Sequence, residues 1–191
     1  MSIPGRRVII TGSTGSGKSR LGAELAERLG VPFVELDALF WEPEWTPAED
    51  ELFRERVRDA TAGDTWVVAG NYFGRTRDLT WPRAETVVYL DFPLALIWWR
   101  VVRRSWRRWR SKELLWGTNY ERFWTHFTDR ERSLLVWAWT TRRTLATRWL
   151  SVTTDPSYMG TRFVRLRSPG EASAWLDAVA PRGGGTPGTN A

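Results

Sequence analysis

The stretch Thr11-Gly12-Ser13-Thr14-Gly15-Ser16-Gly17-Lys18-Ser19 follows an apolar run, Val8-Ile9-Ile10, and leads into a helical pattern. Its GxxxxGKS spacing between a strand and a helix reads as a phosphate-binding loop. Glycines let the backbone curl so that its N–H groups converge on phosphate oxygens, and the helix that follows adds its positive N-terminal end. In this reading Gly12, Ser13, Thr14, Gly15, Ser16, Gly17, Lys18 and Ser19, with Arg20 just inside the helix, cradle a nucleoside triphosphate. Lys18 reaches the β- and γ-phosphates and Ser19 ligates Mg²⁺. A Gly/Ser-rich flexible turn is the competing reading. Against it, the chain has only two lysines, Lys18 and Lys112, among 28 basic residues, and one of them stands where the motif demands it.

From this loop the chain alternates strand and helix signals. Leu21, Leu25 and Leu29 recur at helical spacing from Lys18, and Gly30 supplies the C-cap. Phe33 to Leu36 is a second strand with Asp37 just past its carboxyl end, the edge where open α/β sheets bind ligands. Leu39 to Trp45 reads as an aromatic loop. Thr46-Pro47-Ala48-Glu49 forms a capping box that starts a helix to about Ala60. Thr65 to Ala69 is a third strand, followed by Gly70-Asn71-Tyr72 and a polar stretch holding Arg75, Arg77 and Asp78. Thr86 to Leu90 is a fourth strand, ended by Asp91. A helix from Pro93 puts Ile97, Trp98, Val101 and Trp109 on one face and Arg100, Arg103, Arg104, Arg107 and Arg108 on the other. A break at 111–119 separates it from a second long helix over about Asp129 to Trp149. Thr161 to Arg167 is the last strand, Ser168-Pro169-Gly170-Glu171 opens a final helix to about Ala180, and residues 181–191 read as a disordered Gly/Pro-rich tail. The alternation predicts one α/β domain over residues 1–180 with a parallel sheet covered on both faces.

Composition narrows the function classes. Without cysteine there is neither a disulfide nor a thiolate metal site, and no apolar run approaches the ~20 residues of a membrane span. The expectation is a cytoplasmic protein with no membrane partner. Residues 100–149 hold 13 of the 28 basic residues and only 4 of the 22 acidic ones, along with several of the 14 tryptophans. Arginine interleaved with aromatics suits nucleotides, nucleic acid or an acidic surface.

The motifs GSTGSGKS at 12–19, LDALFWEPEWTP at 36–47, WVVAGNY at 66–72, RDLTWPRAETVVYLD at 77–91 and VRLRSPGEASAWL at 164–176 resemble the nucleotide-kinase-like branch of P-loop proteins, the adenylate kinase and shikimate kinase group. More narrowly they resemble the bacterial adenylate-kinase-related family often labelled topology modulation protein. The resemblance implies a P-loop NTPase fold with a five-stranded parallel sheet, a substrate-side segment over about 37–64, and a helical arginine-rich lid over about 100–149. It also implies that Arg100 lies near the adenine, Arg104 on the transferring phosphate, and Arg167 at the loop bordering the adenine. One departure stands out. Adenylate kinases carry an Asp-Gly pair after the third strand to help hold the metal, and here the pair is Ala69-Gly70. Asp37 is then the first candidate for the second metal acid, and Asp91 the other.

Phosphoryl transfer needs positioning, a metal and positive charge around the equatorial oxygens. The chain reads as binding ATP and Mg²⁺ and passing the γ-phosphate to a small nucleotide or hydroxyl-bearing acceptor, with Lys18, Asp37 and Arg104 as catalytic candidates. Asp37 either holds metal-bound water, accepts the proton of the attacking hydroxyl, or only caps a turn. Trp41, Asn71, Tyr72 and Arg77 are acceptor-side candidates. Each has a plainer alternative: core packing for Trp41, a turn for Asn71 and Tyr72, a clamp to Asp78 for Arg77. The lone His126 is given no catalytic role. The other functional reading is an ATP-binding protein that acts on DNA or a nucleoprotein partner through the arginine segment, without small-molecule turnover.

Overall fold

The computed structural model describes residues 4–112, 114–115, 119–120 and 134–179. The 181–191 tail, His126 and the middle of the 100–149 segment lie outside the described residues. Five parallel strands form the central sheet in the order β2-β5-β1-β6-β9: β1 is Arg7–Gly12, β2 Phe33–Glu35, β5 Trp66–Ala69, β6 Thr86–Leu90 and β9 Arg162–Leu166. Two short antiparallel pairs stand apart from it, β3 Trp41–Glu42 with β4 Thr46–Pro47, and β7 Leu114–Leu115 with β8 Asn119–Tyr120.

The central strands are buried on both faces, which explains why Val8-Ile9-Ile10 and Val87-Val88-Tyr89-Leu90 are continuous apolar runs. Successive side chains still divide by the two-residue period of a strand. Val8, Ile10, Val67, Val88 and Leu90 enter one core, shared with helix α1 (Lys18–Leu29), helix α5 (Leu94–Ser111) and the final helix α7 (Pro169–Asp177). Ile9, Val68, Val87 and Trp66 enter the other, beneath Phe53 and Val57 of α3 (Asp50–Ala60) and Val152 of α6 (Leu134–Thr153). Among the described residues no helix is long and apolar enough to cross a membrane.

Helix ends follow local chemistry. Gly30 closes α1 in the left-handed region at φ 61°, returning its N–H to the Ala26 and Glu27 carbonyls. Ser168 caps α7 by accepting from the Glu171 N–H, and the Glu171 carboxylate accepts from the Arg167 N–H at 2.8 Å. The box expected at Thr46 does not form. Thr46 and Pro47 pair with Glu42 and Trp41 across a tight hairpin, so α3 starts later, at Asp50, without a side-chain cap.

Three further expectations are corrected. The aromatic loop after β2 is instead a short helix, α2 (Leu36–Phe40), followed by that hairpin, which puts Asp37 in a first helical turn. The polar stretch after Tyr72 is helix α4 (Phe73–Thr80), which turns Arg77 and Asp78 apart: Arg77 bonds Tyr158 and Asp155, and Asp78 pairs with Arg54. On α5 the buried stripe is Ile97, Val101 and Ser105, with Arg100 and Arg104 half-buried beside it. Trp98 and Trp109, expected inward, are exposed. Arginine takes the inner stripe because it faces the phosphate loop, where its stem packs and its head meets polar backbone.

Candidate active site at the carboxyl edge of the sheet

The loop between β1 and α1 lies at the carboxyl end of the central strand. The Ser16 N–H donates to the Ser13 carbonyl at 3.1 Å, and Lys18 Nζ reaches back to the same carbonyl at 3.2 Å. Ser13 and Ser16 are buried, and the Ser16 hydroxyl has no hydrogen-bond partner among the described residues. Burial lowers the Lys18 ammonium from its ordinary range, Arg104 lowers it further, and the carboxylates of Asp37 and Glu35 oppose the shift. Three charged groups from β2, α2 and α5 therefore meet around one ammonium of α1. A polyphosphate entering here would offset the burial cost of Lys18 and Arg104 together.

Helix α5 closes the loop from outside. Gly15 has φ 78°, and a β-carbon there would stand 2.7 Å from Val101 Cγ2 and 3.1 Å from the Ile97 carbonyl oxygen. Arg100 donates from Nη1 to the Ser16 carbonyl at 3.1 Å. Its guanidinium is lowered by burial and then by the neighbouring charge of Arg20, which itself is exposed and paired with Glu24 at 2.6 Å. Gly15→Ala is expected to cost about 2–3 kcal/mol, because left-handed strain and a helix contact combine. A lower urea midpoint at unchanged slope would register it.

The metal-side acid is one the sequence reading passed over. Ser19 Oγ donates to Glu35 Oε1 at 2.5 Å, so the hydroxyl expected on the metal is already beside a carboxylate at the end of β2. Mg²⁺ takes hard oxygen ligands, commonly one or two from protein plus phosphate oxygens and water, and Ser19 with Glu35 fits that donor set. Asp91 does not join them. Its side chain is 8% exposed and is held by Arg165 at 2.5 Å and Arg142 at 3.4 Å, so its charge is already balanced. The rule that drew attention to Asp37, an acid at the carboxyl end of β2, applies equally to Glu35.

Asp37 is organised from the acceptor side. Tyr72 donates its hydroxyl proton to Asp37 Oδ1 at 2.7 Å. Burial and the Asp37 charge hold the Tyr72 phenol well above its usual range, so it stays a donor. Its ring packs against both Phe40 and Phe53, with centroids 4.7 and 5.0 Å away. Trp41 is half-buried in the same aromatic cluster, edge-on to Phe40 and Trp45.

Two other acceptor-side candidates make contacts within the fold. Asn71 accepts from Thr11 Oγ1 at 2.9 Å and from the Gly12 N–H at 3.2 Å, and donates to the Gly12 carbonyl at 2.6 Å, so it fixes the entry to the phosphate loop. Arg77 is bound to Tyr158 and Asp155, with its guanidinium over the Phe73 ring at 5.0 Å. A water-sized void of about 20 Å³ beside Tyr72 is bounded by Thr11, Leu36, Asn71, Tyr89 and Arg148. Arg148 lies over Phe73 at 4.4 Å, and burial lowers its guanidinium. Arg167 is exposed at the end of β9, on the same edge as the loop.

Comparisons with known proteins agree with this architecture. The family model for shikimate kinase matches residues 14–60, about a quarter of the chain, from the phosphate loop to the end of α3. A shikimate kinase of Geobacter sulfurreducens is 54% identical over 44 residues, which span 22% of this chain and 24% of that enzyme. Among solved structures, shikimate kinase from Acinetobacter baumannii in complex with shikimate aligns with a TM-score of 0.51 at 18% identity, covering 93% of this chain and 91% of the other. Shikimate kinase from Aquifex aeolicus aligns with a TM-score of 0.50 at 14% identity, covering 91% and 92%. At these identities the likeness shows the fold. Sheet order and these alignments over nine-tenths of the chain show a P-loop fold shared with those kinases.

Proposed function

We propose that the protein is an ATP-dependent phosphotransferase that moves the γ-phosphate of ATP to a hydroxyl of a small, negatively charged acceptor. The observation that carries this reading is the meeting of Lys18 with Asp37, Glu35 and Arg104 at the end of the glycine loop. Lys18 and Arg104 supply positive charge where phosphoryl oxygens gather it, and the loop N–H groups and the N-terminus of α1 supply the rest. Ser19 and Glu35 would hold Mg²⁺, which would supply charge neutralisation at the phosphates. Asp37, whose charge also reaches Lys18, takes the proton of the acceptor hydroxyl in this reading, with Tyr72 orienting its carboxylate.

Arg148 favours an acidic acceptor. A half-buried guanidinium beside Tyr72 gains most from a carboxylate or phosphate that it can grip with two N–H groups. The narrower resemblance to the topology modulation family rests on the sequence motifs, and is compatible with the same chemistry in a cytoplasmic enzyme. The test is ADP release with Mg²⁺ and ATP against a panel of hydroxy acids, sugar acids, polyols and nucleoside monophosphates. One anionic hydroxyl compound is expected to raise ADP release at least 100-fold above the acceptor-free rate and to leave as its phosphate ester, identified by mass. Uniformly acceptor-independent ADP release in a protein that binds ATP would refute the proposal.

A further inference from the structure

Helix α5 turns a different surface outward. Trp99 is 57% exposed, and Arg103, one turn on, lies over its ring at 5.1 Å. The neighbouring helix α6 repeats the device: Trp139 is 45% exposed and Arg143, again one turn on, lies over its ring at 5.0 Å. Trp98 of α5 stacks on Trp139 with centroids 6.4 Å apart and planes 29° apart, joining the two Trp-Arg pairs into one surface. Residues 94–112 and 134–153 together carry ten arginines and lysines and no aspartate or glutamate. No carboxylate among the described residues pairs with Arg103 or Arg143.

Burying such rings against solvent is the cheaper choice for a fold, yet here they stay out beside unneutralised charge. A guanidinium held over an indole still presents N–H groups to phosphate, while the outward ring of Trp99, the most exposed of these tryptophans, offers a stacking platform. Phosphate and unpaired π-faces at alternating positions describe a single-stranded polynucleotide, which presents both, whereas a duplex hides its bases. A second copy of this chain would bring like charge against like. Bilayer insertion is disfavoured because Thr140 and Thr144, both exposed, lie between Trp139 and the next turns of α6.

We propose that the outer face of α5 and α6, centred on the Trp99-Arg103 and Trp139-Arg143 pairs, binds single-stranded polynucleotide. Trp99 and Arg103 lie about 100° round α5 from Arg100 and Arg104, and turn outward where those two face the phosphate loop, so the proposal stands apart from the phosphotransfer reading. The test is fluorescence anisotropy of a labelled oligothymidylate of about 20 nucleotides, with a duplex of equal length and phosphatidylserine vesicles as parallel arms. Saturable binding to the single strand is expected. Trp99→Ala with Trp139→Ala should weaken it about tenfold or more, with affinity for a fluorescent ATP analogue unchanged. Arg103→Ala with Arg143→Ala should reduce the slope of log affinity on log salt by about 1.4, the single-strand value for two lost phosphate contacts. If the tryptophan double variant no longer binds the ATP analogue, the arginine pair decides. No single-strand binding, binding indifferent to both pairs in folded protein, preference for the duplex, or tryptophan-dependent binding to vesicles alone would each overturn the proposal.

Discussion

Lys18→Ala is expected to reduce phosphoryl transfer by at least 10²–10³-fold, the scale seen when one preorganised donor to a developing charge is removed. The loss should exceed that for an exposed lysine because the ammonium is partly buried and meets two carboxylates and Arg104. Removing it leaves Asp37 and Glu35 facing the phosphates with less positive charge between them, which turns an attractive site toward a repulsive one. Single-turnover ATP cleavage measures the chemical step, and titration of a fluorescent ATP analogue separates weaker binding from slower chemistry. Lys18→Arg is not expected to restore the rate. A planar guanidinium cannot follow the curl of the loop to the Ser13 carbonyl and still fit beside Arg104. The chain favours arginine so heavily elsewhere that a lysine here is itself informative. Wild-type turnover by either variant would remove Lys18 from the mechanism.

Much of this site was readable from residue order because it depends on local chemistry. A phosphate loop is nearly all backbone, so glycine spacing specifies it, and α1 runs from Lys18 to Leu29 as the leucine period and Gly30 predict. The sheet was readable for a similar reason, since strands buried on both faces write themselves as apolar runs. What spacing could not show is which polar side chains satisfy one another across the fold. Asn71 looks like a turn residue or an acceptor ligand until β1 and β5 lie side by side, whereupon Thr11 and Gly12 take up its amide. Arg77 and Asp78 look like partners in sequence, but adjacent residues on a helix do not face each other, and each pairs with a different element. The Ala69-Gly70 departure sent attention from β5 to Asp37 and Asp91, while the carboxylate at Ser19 comes from Glu35 on the neighbouring strand. The inward turn of Arg100 and Arg104 also defeats a simple amphipathic reading of α5. That helix has two working faces, and neither is purely apolar.

Asp37→Asn is expected to lower kcat by about 10²–10⁴-fold while leaving affinity for the ATP analogue within a few fold, because the amide preserves shape and loses the proton acceptor. Tyr72→Phe distinguishes acceptance of a proton from simple placement. The phenylalanine ring keeps the packing against Phe40 and Phe53, so stability should hold, but the 2.7 Å hydrogen bond to Asp37 disappears. Hydrogen bonds to charged groups contribute about 1.5–3 kcal/mol, so a freed carboxylate should turn over about tenfold or more slowly. If Asp37 removes the acceptor proton, Tyr72→Phe lowers kcat with little change in acceptor KM, and it adds little on top of Asp37→Asn since both act on one group. If Asp37 merely grips the acceptor, both substitutions raise KM and spare kcat. The double variant therefore decides between a base held by a tyrosine and a carboxylate that only binds. Independent, multiplicative losses from the two substitutions would break the link between Tyr72 and Asp37 altogether.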